Sequence, residues 1–174
     1  MVQALPADAA HALAAWRKAR DAEALPHLEF AASEIPPRLL PMSMCYRRMP
    51  DGTYLYSLVG DELADLLIEN PKGTTVLHSA PDAERRSRYA IIDRAIDAGA
   101  PFWFATRSTL TDGSRVEVGR LALPARNGDR KVLLVMYFMP DDPVPEGVKF
   151  ASLAHWDESQ IAWLDAGAAP GARS

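Results

Sequence analysis

Two turn-forming dipeptides, Asp112-Gly113 and Asn127-Gly128, constrain the fold of this chain more than any other feature of its sequence. Each lies between runs rich in apolar, β-branched and aromatic residues. Both dipeptides favour the tight turns of β-hairpins, because those turns need positive φ angles. The pattern predicts three consecutive antiparallel strands, at residues 101–110, 114–123 and 131–139.

If each turn has two residues, the register of the three strands follows from the alternation of side chains across the sheet. One face is then apolar and aromatic, with rows formed by Phe102, Leu123 and Val132, by Phe104, Leu121 and Leu134, and by Thr106, Gly119 and Met136. The opposite face carries Trp103, Val118, Leu133, Val135 and Tyr137. That outer face is also too apolar to be left in water, so the helix that bears Trp16 or a second chain must cover it.

The rest of the chain predicts a second hairpin and several helices. Asp51-Gly52 separates strand-like runs at 43–49 and 53–59. The spacing of apolar residues predicts helices at 8–23, 61–68 and 80–98, and Gly99 stands where a helix-terminating glycine belongs. An antiparallel sheet combined with separate helices is an α+β arrangement.

The order of these elements resembles the PAS fold. Segments that carry the resemblance are Trp16, Leu39-Leu40-Pro41, residues 54–60, residues 121–124 with Asn127-Gly128, and the run from Val132. They are similar to a bacterial branch of the PAS family whose members often contain little more than one PAS domain. The resemblance implies a five-stranded antiparallel sheet with helices on one face and an N-terminal capping helix. The chain then divides into a helix and linker at 1–27, a PAS domain at 28–140 and a C-terminal extension at 141–174, which the resemblance leaves unexplained. The composition of residues 166–174 predicts that the end of this extension is disordered.

The resemblance also implies a function. PAS domains bind small molecules or cofactors between the sheet and the helices and report a signal to a partner protein. We therefore expect a non-catalytic sensor or interaction module in signal transduction, which binds a small apolar ligand or a protein partner. The predicted ligand pocket lies beneath the helix at 80–98, and Gly119 leaves space in it. Its residues are Tyr54, Tyr56, Tyr89, Ile92, Phe102, Phe104, Gly119, Leu121, Leu134 and Met136.

A homodimer is the expected assembly, because many PAS domains pair through the leading helix and the outer face of the sheet. A single alanine-rich helix of about 24 Å is too short to cover that whole face. The predicted interface consists of Leu13, Trp16, Trp103, Val118, Leu133, Val135 and Tyr137. In the alternative, the C-terminal segment with Trp156 and Trp163 covers the face within one chain and leaves a monomer.

Two other functions stay open at this stage. One is an interaction-only PAS domain whose pocket is filled by its own bulky side chains. The other is a small enzyme on a curved sheet, for which Glu117 is a candidate general base. The sequence offers Glu117 no evident partner, and it predicts no catalytic residue.

Cofactor chemistry is disfavoured by the residues present. Cys45, the one cysteine, stands on a predicted strand and not in the Asn-Cys-Arg motif that flavin photochemistry requires in this family. The helix at 80–98 has no histidine to ligate haem, and His78 only precedes it. No histidine pair has the spacing of a metal site. The net charge of −4 and the absence of an apolar run of membrane-spanning length predict a cytoplasmic protein with no nucleic-acid or membrane partner.

Overall fold

The computed structural model describes residues 5–20, 25–139, 144–152 and 160–165, which form an α+β fold. Its helices are α1 (Ala7–Ala19), α2 (Phe30–Glu34), a 3₁₀ helix (Pro37–Met42), α3 (Asp61–Leu66) and α4 (Asp82–Ala98). Its strands are β1 (Ser43–Arg48), β2 (Tyr54–Val59), β3 (Phe102–Leu110), β4 (Arg115–Asn127), β5 (Arg130–Phe138), β6 (Phe150–Ser152) and β7 (Ala162–Trp163). As predicted, Gly99 ends α4 in the left-handed conformation, with φ of 59°.

All seven strands form one antiparallel sheet. The order is β2-β1-β5-β4-β3-β6, and β7 also pairs with β3. The pairing of β1 with β5 confirms that the first hairpin shares a sheet with the last three strands. The predicted number of five strands is wrong, because the C-terminal segment adds β6 and β7 along the free edge of β3.

The sheet is buried on both faces. On one face, α4 packs through Ile92 and Ile96 onto the α4-side core, which includes Phe102, Phe104, Val118, Ala122, Leu133, Val135 and Tyr137. On the other, α1 packs through Leu13 and Trp16 onto the α1-side core, which includes Cys45, Trp103, Leu121, Leu123, Val132, Leu134 and Met136. The prediction of helices on one face with an N-terminal capping helix is confirmed only in part, because α2 also packs on the α1 side.

The predicted register between β3 and β4 is wrong by one residue. Phe102 pairs with Ala122 and Phe104 with Arg120, whereas the prediction placed them beside Leu123 and Leu121. The turn contains three residues, 111–113, with Gly113 at φ of 85°. The side chain of Asp112 closes it by accepting hydrogen bonds from the backbone N–H and the hydroxyl of Ser114. A three-residue turn with its last residue left-handed is the common alternative to the two-residue turn.

A shift of one residue puts the side chains of β3 on the opposite face from the β4 and β5 side chains that the prediction placed beside them. The β4–β5 pairing also differs, since Gly128 and Asp129 form the turn and Leu121 pairs with Met136. That shift is two residues, so β4 and β5 keep the predicted facing relative to each other, and both present to α4 the side chains that were predicted for the outer face. Phe104 therefore lies in the α4-side core, while Leu121 and Leu134 lie in the α1-side core.

The residues assigned to a dimer interface are buried within the single chain. Trp16 has no exposed surface, and its indole Nε1 donates a 2.7 Å hydrogen bond to the carbonyl oxygen of Pro124 on β4. Leu13 and Trp103 pack beside it in the α1-side core, whereas Val118, Leu133, Val135 and Tyr137 belong to the α4-side core. The helix α1 does not cover its face alone, because Phe30 and Ile35 from the following segment complete the cover. Dimerisation itself stays a prediction, but these side chains are not free to form its interface.

Gly119 leaves no space for a ligand. A Cβ atom at this position would lie 2.2 Å from Cη2 and 2.6 Å from Cζ2 of Trp103, whose ring covers the glycine on the α1 side of the sheet. The glycine is therefore needed for the packing of an aromatic ring across the sheet.

We expect Gly119→Ala to lower the free energy of unfolding by about 1–3 kcal/mol, because the new methyl group overlaps the Trp103 ring. Urea unfolding followed by circular dichroism measures the change. In a Trp103→Leu background the same substitution should cost about 0.5 kcal/mol or less, since the ring is gone. Equal losses in both backgrounds would contradict this explanation.

Candidate functional site

A cavity of about 50 Å³ lies between the sheet and α4. Its lining comes from β1 and β2, the segment that follows β2 and α3, helix α4, and the three central strands. The lining residues are Tyr46, Tyr56, Val76, Leu77, Arg88, Ile92, Phe102, Phe104, Arg120, Leu133, Val135 and Tyr137. By volume this is room for about three to five water molecules or for one molecule of a few heavy atoms.

Arg120 is the distinctive residue of this cavity. It lies on β4 at the centre of the sheet and is only 2% exposed. Its Nη1 donates a 2.6 Å hydrogen bond to Oγ1 of Thr106, and its Nη2 lies 3.5 Å from Oγ of Ser108. The guanidinium lies over the rings of Phe104 and Tyr137, with Cζ 5.2 Å and 5.0 Å from the ring centroids. Such cation–π contacts partly compensate the loss of hydration.

Three phenols line the cavity beside this cation. Burial is the largest cause that raises the pKa of Tyr46 well above its ordinary value, and the neighbouring Tyr137 raises it further. Burial also raises the pKa of Tyr56, although a hydrogen bond from the backbone of Leu77 opposes the shift. Tyr46 and Tyr56 therefore stay protonated at neutral pH and keep O–H groups that can donate hydrogen bonds.

A second arginine approaches the cavity from α4. Arg88 is 6% exposed and forms an ion pair with Glu84, one helical turn earlier, at 2.5 Å. The pair contributes no net charge, whereas Arg120 adds a positive one. The lining residues include no acidic side chain within the described part of the chain.

The segment over the cavity has a strained backbone. Leu77 has φ of 58°, the one positive φ at a non-glycine residue in the described ranges. A left-handed conformation costs roughly 1–3 kcal/mol for such a residue and persists only where surrounding contacts hold it. Those contacts are present, because the hydroxyl of Tyr89 donates a 2.7 Å hydrogen bond to the carbonyl oxygen of Val76 and the N–H of Leu77 bonds to Tyr56.

An ion-pair network fixes α4 above the cavity. Arg48 of β1 donates to both carboxylate oxygens of Asp97, at 2.8 Å and 3.1 Å, and to Asp93 at 2.7 Å. Tyr54 of β2 joins it by donating a 2.6 Å hydrogen bond to Asp93. Lys131 of β5 lies 3.0 Å from Asp97. The network links three strands to the helix that forms one wall of the cavity.

The predicted pocket residues divide between the two faces of the sheet. Tyr56, Ile92, Phe102 and Phe104 from the predicted set line this cavity. Tyr54 and Tyr89 pack nearby, against each other, with ring centroids 5.1 Å apart. The prediction is wrong for Gly119, Leu121, Leu134 and Met136, which lie on the α1 side of the sheet. Leu133, Val135 and Tyr137, assigned to the dimer interface, line the cavity instead.

Arg120 was missed because the expected register placed it on the outer face of the sheet. A usable signal existed in its neighbours: an arginine inside a strand that is apolar on both faces must be buried or cover a buried surface.

The other candidates lie away from the cavity. Glu117 is exposed on β4 opposite Arg107, and His78 is exposed. Cys45 is buried on β1, and burial raises its pKa to about 11, so the thiol stays protonated.

The network around Arg48 has a pH signature. Its hydrogen bonds to Asp97, helped by Lys131, lower the pKa of that carboxyl from 3.8 to about 2. The pair therefore stabilises the fold above pH 4, and its contribution is lost as pH falls from about 4 to about 2. In Arg48→Met we expect the Asp97 titration midpoint, measured by carboxyl ¹³C NMR, to rise toward 3.8.

The matched control is Arg47→Met, which removes the neighbouring arginine of β1. Arg47 forms no ion pair with the described residues, so the midpoint of Asp97 should stay near 2. An unchanged midpoint in Arg48→Met would show that Arg48 does not hold Asp97.

Comparison with protein-family models gives no match, and comparison with curated protein sequences gives none at a significant level. No helix within the described ranges is both long and apolar enough to span a membrane.

Proposed function

We propose that this protein is a PAS-like sensor or interaction module without catalytic activity, and that the cavity beneath α4 is its ligand site. The observation that carries the proposal is the cavity itself. Apolar side chains form most of its wall, and a few polar groups converge in it, which is the usual make-up of a small-molecule site. Its place between the sheet and the helices is where the PAS resemblance implies a ligand.

The order β2-β1-β5-β4-β3 also supports the PAS-like assignment, because it joins the first hairpin to the last three strands in one sheet. The strands β6 and β7 are additions at its edge. The ring centroids of Trp163 in β7 and Phe102 are 5.3 Å apart. Because Phe102 lines the cavity, the added strand also supports its wall.

The same contacts provide a route for signal output. A ligand in the cavity contacts Leu77 in the strained segment and Ile92 on α4. Identifiable polar contacts also join these elements to the sheet, namely the Tyr56 and Tyr89 hydrogen bonds and the Arg48 network. Occupancy of the cavity would therefore favour one arrangement of this surface, which a signalling partner binds.

Ligand screening tests the proposal. The purified protein is screened by thermal shift against small molecules of up to about eight heavy atoms, and hits are mapped by amide chemical shifts in NMR spectra. We expect at least one hit that raises the melting temperature and shifts Leu77, Ile92 and Val135 more than distant residues.

Val135→Phe serves as the blocking variant, because its added ring occupies the cavity without changing the charge. It should keep its circular dichroism spectrum and lose the response to every hit. A matched control, Leu58→Ala, removes an exposed side chain on β2 and should respond as the wild type does. The proposal fails if no compound binds, or if hits bind Val135→Phe equally well, and an interaction-only module would then remain.

A further inference from the structure

The cavity contains a buried positive charge that no described residue neutralises. Arg120 is 2% exposed, and no carboxylate of the described residues forms an ion pair with it. Buried charges are normally paired. A ligand that brings a negative charge into this cavity is therefore bound with a more favourable free energy than a neutral ligand of the same shape.

The guanidinium is also well oriented to bind an anion. Aromatic rings contact it at Phe104 and Tyr137, and Thr106 and Ser108 accept hydrogen bonds from its nitrogens. These contacts hold the planar group in place. Two hydrogen bonds are fewer than its five N–H groups can make, and the in-plane fork of a guanidinium matches the two oxygens of a carboxylate.

The rest of the lining fits the same chemistry. Tyr46 and Tyr56 keep their phenolic protons and can donate to an anion, while no acidic side chain among the described lining residues would repel it. Ile92, Leu133 and Val135 form an apolar wall suited to a short alkyl group.

Resting on the proposed function, we infer that the ligand is a short-chain monocarboxylate with Arg120 as its anchor. The volume of about 50 Å³ accommodates an anion of four or five heavy atoms, such as acetate or propionate. A dicarboxylate would bury a second negative charge without a free cation to meet it, since Arg88 already pairs with Glu84. Longer or branched acids would exceed the volume.

Direct binding tests this inference. The full-length protein is titrated with sodium acetate, propionate, succinate and chloride at constant ionic strength, and with neutral propionamide, while amide chemical shifts are followed by NMR. We expect acetate or propionate to bind saturably at the cavity, with propionamide, succinate and chloride at least tenfold weaker.

Two variants test whether Arg120 and Tyr56 bind the carboxylate. Arg120→Met removes the charge and retains an unbranched apolar side chain. It should weaken carboxylate binding by roughly 30-fold or more, as expected for loss of a buried charged partner. Tyr56→Phe removes one donor and should weaken binding by a smaller factor. Circular dichroism and the amide spectrum establish that each variant is folded, and Val135→Phe blocks the cavity without touching the charge if Arg120→Met does not fold.

The outcomes separate this inference from the proposed function. If propionamide or another neutral molecule binds the cavity as tightly as propionate, the cavity is a ligand site and the carboxylate inference is wrong. Chloride binding as tight as propionate binding would also overturn it. If none of the probes and no screened compound binds, both the inference and the proposed function fail.

Discussion

The three-residue turn between β3 and β4 determines which face of the sheet each side chain of β3 occupies, and the cavity depends on that choice. With Gly113 left-handed and Asp112 bonded to Ser114, Phe104 lies directly opposite Arg120 on the face beneath α4. One residue fewer in the turn would place Phe102 and Phe104 under α1 and remove the contact of Phe104 with Arg120, leaving only that of Tyr137 on β5. The first hairpin has the same kind of turn, since the carboxylate of Asp51 accepts hydrogen bonds from the N–H and hydroxyl of Thr53, and Gly52 has φ of 82°.

The sheet is buried on both faces, but one side is closely packed and the other contains a cavity. Under α1 the side chains fit closely, to the point that Gly119 has no room for a methyl group beneath Trp103. Under α4 they leave a cavity with polar groups in its wall. The helix above that cavity is joined to β1 in its C-terminal half, where Arg48 binds Asp93 and Asp97.

Arg120 imposes a cost on the fold that its own contacts offset only in part. Removing a guanidinium from water costs several kcal/mol, and two hydroxyl partners with two aromatic rings return a share of that. An all-apolar side chain would suit the core better if packing were the only requirement. A buried, oriented cation beside a cavity therefore fits the role in ligand binding that is proposed for it.

Local patterns in the sequence determined the kinds of element and their order. Asp-Gly and Asn-Gly turns located the three hairpins, apolar spacing located α1 and α4, and Gly99 ended α4, because turn chemistry and periodicity act over a few residues. Tertiary structure decided the rest. The choice between two-residue and three-residue turns depends on which pairing buries more apolar surface, so it set the face of Phe104 and hid the role of Arg120. Whether Trp16 met its own sheet or another chain likewise depended on contacts 108 residues apart, which no local pattern encodes.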